Sequence, residues 1–135
     1  MKVLINKIGL ILAIYVCLSV NAYAGLDEAA LSIGEQVGRY NVIRNGMCKK
    51  YPTPYMNKYV NDSEKLISGG SWYSKSQFKE GKTQGSAQFS FVINRLKKKD
   101  PDSFKDQANL KKQCADMDKD AKTMYEQLAQ TGVFN

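Results

Sequence analysis

The chain has 135 residues and a mass of 15.2 kDa, with 20 Lys and Arg against 13 Asp and Glu, three cysteines and no histidine. This length allows one modest core, and the lack of histidine removes the commonest general base, the histidine-centred nucleophile triads and most zinc and copper sites. A hydrophobic content of 43 % with only three prolines is that of a chain that folds.

In chain order, the first 24 residues stand apart. Lys2 and Lys7 are their only charges, Ile8 to Val20 is an almost unbroken apolar run, and Ala22-Tyr23-Ala24 puts small residues where a signal peptidase reads. A run of about 13 residues is shorter than the roughly 20 needed to span hydrocarbon, so a cleaved signal peptide (residues 1–24) is expected rather than a membrane anchor. Val16 before Cys17 does not provide the small residue that a lipid-modified cysteine requires. The expected mature chain, 25–135, is a single helical domain of 111 residues with 18 Lys and Arg against 13 acids, a net +5. In an exported protein this mildly basic balance meets anionic lipids and envelope polymers rather than nucleic acid, although solubility alone accounts for it. Cleavage also leaves two cysteines, Cys48 and Cys114, which allow one disulfide in an oxidising compartment. Neither a Cys-x-x-Cys spacing nor a histidine partner is present to support a redox or nucleophilic role.

Leu26, Ala30, Ile33, Val37 and Tyr40 predict a first helix over about Leu26–Lys50, with Asp27 and Glu28 in its first turn, Lys49 and Lys50 in its last, and Pro52 to stop it. Thr53-Pro54 reads as a cap and first helical residue for a second helix, with Met56, Tyr59, Val60, Ser63 and Ile67 on one face up to Gly69-Gly70. Ser71 to Ser76 is a connecting turn. Phe78, Gly81, Gly85, Phe89, Val92 and Leu96 then form the stripe of a third helix. Each glycine costs up to about 1 kcal/mol of helix propensity relative to alanine, so Gly81 and Gly85 on that stripe predict another backbone packed close against them. Asp100-Pro101 repeats the cap-and-proline signal, and Phe104, Ala108, Lys111, Cys114, Met117, Ala121, Met124 and Leu128 predict a fourth helix, in one piece or broken near Asn109, ending near Gly132. No strand-like alternation or internal repeat is seen, and the fold class is all-α: a small four-helix arrangement tied by one disulfide.

Few residues suggest chemistry. Asp116-x-Asp118-x-Asp120 opens like a calcium loop, but Ala121 stands where glycine is required and Gln127 where glutamate is, so a solvated helix face is expected and no metal or other cofactor. Lys97-Lys98-Lys99 suits a helix C-terminus, with an anion-binding patch as the weaker reading. No catalytic residue is assigned and no enzyme is expected; a small hydrolase is only a third hypothesis, since paired carboxylates meet in space rather than in sequence. Tyr51, Tyr55, Tyr59, Trp72 and Tyr73 fall close together in sequence and are the candidate partner-binding residues, because each offers a rigid ring and a polar handle.

The plan of signal peptide, about a hundred helical residues and one disulfide is similar to that of periplasmic immunity proteins and of small acid-stress chaperones; no residue is carried over from either. The expected function is therefore that of an exported, non-enzymatic helical protein that binds one envelope or secreted protein, of immunity-protein or inhibitor type. The alternative is a periplasmic chaperone or secretion and assembly factor. The expected location is the periplasm or the medium, as a monomer or homodimer, neither bound to nucleic acid nor spanning a membrane.

Overall fold

The structure is a computed structural model that describes residues 26–69 and 72–134; the expected signal segment lies outside the described residues. Four helices and no strand are found among these: α1 (Leu26–Asn45), α2 (Pro54–Ser68), α3 (Lys75–Lys99) and α4 (Gln107–Gln130), with a short 3-10 turn at Pro101–Phe104 between α3 and α4. Successive helices run up, down, up and down, so α1 and α3 are parallel to each other, as are α2 and α4.

Parallel α1 and α3 touch directly because side chains are missing along their contact. A Cβ at Gly34 would lie 2.2 Å from the carbonyl oxygen of Phe78, and one at Gly38 would lie 2.3 Å from that of Lys82. In return, a Cβ at Gly81 would meet the Leu31 carbonyl oxygen at 2.2 Å and one at Gly85 the Glu35 carbonyl oxygen at 2.1 Å. Two Gly-x-x-x-Gly pairs therefore interlock, one from each helix. Ser86 adds a hydrogen bond by donating its hydroxyl to the Gly38 carbonyl at 3.2 Å.

With α3 against its glycine face and α2 and α4 beyond, α1 is the central helix, and the stretch 36–40 is buried without interruption. The predicted stripe of Ile33, Val37 and Tyr40 is in the core, but Gln36 and Arg39 are buried as well, at 0 % and 1 % exposure. The Arg39 charge is tolerated there because its guanidinium donates to Gln36 at 3.3 Å and to Glu35 at 3.1 Å.

Two boundaries differ from those read in the sequence. The first helix ends at Asn45, and 46–50 form turns in which the Cys48 N–H returns to the Ile43 carbonyl at 2.9 Å. This wound-down end brings Cys48 within 5.7 Å (Cα–Cα) of Cys114, to which it is disulfide-bonded. The fourth helix is broken, but ahead of Asn109. Asp100 and Asp106 are successive caps, accepting from the N–H groups of Ser103 and Asn109, and these two starts so close together leave Lys105 and Asp106 between them. The restart also shifts the buried face to Leu110, Gln113, Cys114, Met117, Asp118, Ala121, Met124 and Leu128, so Ala108 and Lys111 face outward. In α3, Ile93 takes the buried place expected of Val92.

Beyond α4, Gly132 adopts φ +84° and the Val133 N–H returns to the Leu128 carbonyl at 3.0 Å, a left-handed stop that turns the chain back on itself. Val133 and Phe134 are thereby buried. The Phe134 ring meets Tyr59 edge-on at 5.6 Å and stacks on Tyr125 at 4.7 Å, while Tyr59 meets Tyr40 edge-on at 5.2 Å. This chain of rings joins α1, α2 and α4 into one core.

Candidate binding surfaces

The five aromatic residues that lie close together in sequence do not form one surface. The 15 residues of α2 span about 22 Å and separate Tyr51 and Tyr55 at one pole of the bundle from Trp72 and Tyr73 at the other. Tyr59, between them, is fully buried in the ring cluster and, unlike the surface position expected of it, presents no area to a partner. Tyr51 and Tyr55 are half-buried against the core. The Tyr51 hydroxyl donates to the Gln107 side chain, and the Tyr55 ring lies beneath the Lys122 ammonium, 5.4 Å from its centroid. Both therefore seal the joint between α2 and α4, and of the five only Trp72 stands free.

Trp72 is 90 % exposed. It sits just before α3, whose start is fixed by Ser74 accepting from the Gln77 N–H at 3.2 Å, and Tyr73 packs against the core behind it. The only other large apolar side chain so exposed among the described residues is Phe91, at 66 %, on the outer face of α3 beside Ala87, Gln88 and Val92. Phe91 differs from its buried neighbour Phe89 in helical phase relative to α1: the apolar stripe that runs through Gly81, Gly85 and Phe89 leaves Phe91 off the buried face.

At the opposite pole, the parallel course of α1 and α3 brings their C-terminal ends together. Lys49 and Lys50 follow α1, and Lys97 lies in the last turn of α3; these three rim a hollow of about 250 Å³ that includes Met47, Tyr51, Phe104 and Leu110. The Lys97 ammonium lies 5.8 Å from the Phe104 ring centroid. The grouping was hidden in sequence because its members come from segments almost fifty residues apart.

The Asp116-Asp118-Asp120 series behaves differently from a solvated helix face at its middle residue. Asp118 is 6 % exposed and its carboxylate accepts from the backbone N–H groups of Tyr55 at 3.2 Å and Met56 at 2.9 Å. It thus caps α2 from another helix, a task that Thr53, which makes no side-chain cap bond, does not perform. Burial raises the Asp118 pKa despite those two donors; burial and then the charge of Asp116 raise that of Asp120. No cluster of three or more metal-ligating side chains exists among the described residues.

On the far side of α2, the Tyr125 hydroxyl donates to Asp62, and burial followed by that carboxylate pushes its pKa up to about 12. No helix among the described residues is long and apolar enough to cross a membrane. Comparison with protein families, curated proteins and solved structures returns no match, so the functional reading has to come from these surfaces.

Proposed function

We propose that this is an exported, non-enzymatic helical protein that binds one envelope or secreted protein partner, in the manner of an inhibitor or immunity protein, with Trp72 as the anchor of the contact. The observation that carries this reading is the 90 % exposure of the chain's only tryptophan at the mouth of a helix locked to its neighbour by four glycines. Tryptophan is the residue type most enriched among energetically dominant contacts between proteins, and a side chain on a rigid support loses little freedom when it binds. The apolar leader and the disulfide, which belongs to oxidising compartments, support export.

The test is recovery of partners from a cell-envelope extract. Wild type should retain a defined protein, and Trp72→Ala should bind it about thirtyfold more weakly, the equivalent of about 2 kcal/mol, with its melting temperature unchanged because so exposed a side chain contributes little to folding. Full affinity in the folded Trp72→Ala protein would remove the anchor. A diffuse set of clients, bound mainly in acid, would instead identify a chaperone or assembly factor.

A further inference from the structure

Charge is distributed very unevenly along the bundle. Residues 44–55 and 95–112, which build the pole opposite Trp72, contain ten Lys and Arg against three Asp. The rest of the described chain contains eight Lys and Arg against ten acids. One pole is thus strongly cationic while the remainder is slightly anionic.

Helix dipoles do not account for this excess. The cationic pole holds the C-terminal ends of α1 and α3 but also the N-terminal ends of α2 and α4, so the partial charges of the four helix ends oppose one another. The two N-terminal ends already have carboxylates, Asp118 for α2 and Asp106 for α4. Of the three acids in these two segments, Asp100 and Asp106 are engaged in capping, as is Asp118, which reaches the pole from further along α4. Lys49, Lys50 and Lys97 are exposed, and the ion pairs of the described residues, Arg39 with Glu35 and Lys82 with Glu64, involve none of them.

We infer that this pole is a docking surface for anionic phospholipid headgroups, with a headgroup phosphate held between Lys49, Lys50 and Lys97. Eight of the ten cations are lysine, a residue depleted from contacts between proteins and typical of clusters that attract anionic lipid surfaces. The hollow between the three lysines has room for a phosphate and its glycerol, and Met47, Phe104 and Leu110 give it an apolar floor suited to the carbon skeleton of the headgroup. Trp72 lies at the far end of the bundle and so points away from a membrane engaged in this way.

Vesicle sedimentation of a chain beginning at Gly25, which carries every described helix, tests the inference. Vesicles of phosphatidylcholine with 40 % phosphatidylglycerol should bind it at low salt, pure phosphatidylcholine should not, and binding should weaken steeply as salt screens the pole. Replacing Lys49, Lys50 and Lys97 together by glutamine should lower the partition coefficient about a hundredfold at roughly 1 kcal/mol per lysine. The same change at Lys65, Lys75 and Lys79, at the opposite pole, should lower it less than threefold; melting curves confirm that both variants fold. Equal losses in the two variants would reduce the effect to net charge and overturn the assignment, as would no dependence on phosphatidylglycerol. Displacement by millimolar inorganic phosphate would also overturn it, by showing a site for a small anion. None of these readings depends on Trp72, so failure here leaves the proposed partner contact standing.

Discussion

Where α1 meets α3 the contact is made by the absence of side chains; where α2 meets α4 it is made by their presence. Both pairs run parallel, yet the first relies on backbone against backbone at Gly34, Gly38, Gly81 and Gly85, and the second on the Asp118 carboxylate, the Tyr125–Asp62 hydrogen bond and cations over the Tyr55 and Tyr125 rings. The first kind of contact admits no added atom, because the obstacle is a carbonyl oxygen that cannot swing aside. The second can lose its members one at a time, each at the cost of a single interaction.

The largest effect should come from the bond that ties the two pairs together. Reducing Cys48–Cys114, which spans 66 residues, should destabilise the protein by about 4 kcal/mol on the chain-entropy account, read as a fall in melting temperature of many degrees; titratable free thiols at both positions in the native protein, purified without reductant, would refute the bond. Next, Gly85→Ala should cost about 3 kcal/mol by overpacking, although alanine is the better helix former by about 1 kcal/mol. Denaturant melts that show unchanged or greater stability would mean that α1 and α3 are not in backbone contact.

On the other pair the effects should be smaller. Asp118→Ala removes the acceptor of two N–H groups at the start of α2 and should cost about 2 kcal/mol. Its pH dependence has a definite sign. Because burial raises the Asp118 pKa, the folded protein takes up this proton while the unfolded chain is still ionised. The contribution of that titration is complete below the unfolded value and is lost as pH rises through the folded one. The stability gap between wild type and Asp118→Ala should therefore widen as pH falls from 7 toward 4, and a gap that narrows would show that the two N–H donors outweigh burial. Tyr125→Phe, which deletes one hydrogen bond to Asp62, should cost about 1 kcal/mol by the same melts; a loss as large as that at Gly85 would erase the contrast between the pairs.

The glycine contact was half legible in sequence. Gly81 and Gly85 stood out because they fall on an apolar stripe that larger residues otherwise fill, but Gly34 and Gly38 lie beside the Ile33 and Val37 stripe of α1 and carry the same spacing of four without standing out. Their face becomes a contact only once α3 returns to it. The aromatic residues show the same limit: nearness along the chain is not nearness in space, because α2 carries Tyr51 and Trp72 to opposite poles. Asp118 looked like one of three surface carboxylates because nothing near it in sequence revealed that the start of α2, about sixty residues earlier, lacks a cap of its own. The inward turn of Val133 and Phe134 had only Gly132 as its sign, and that glycine marked the end of the helix without showing what followed.

The features legible in the sequence alone are local: four helices, their approximate limits at Pro54, Gly69 and Pro101, and, with Cys17 assigned to the expected leader, the pairing of Cys48 with Cys114. Apolar period, caps and chain breakers act over a turn or two of backbone, so their effect can be read from neighbouring residues alone. The tertiary structure decided which helices became neighbours, and with that the burial of Arg39 and Tyr59, the capping task of Asp118, the exposure of Trp72 and Phe91 and the meeting of Lys49 and Lys50 with Lys97. Each of these depends on a partner distant along the chain, because burial and electrostatic environment belong to the packed assembly and not to any one segment.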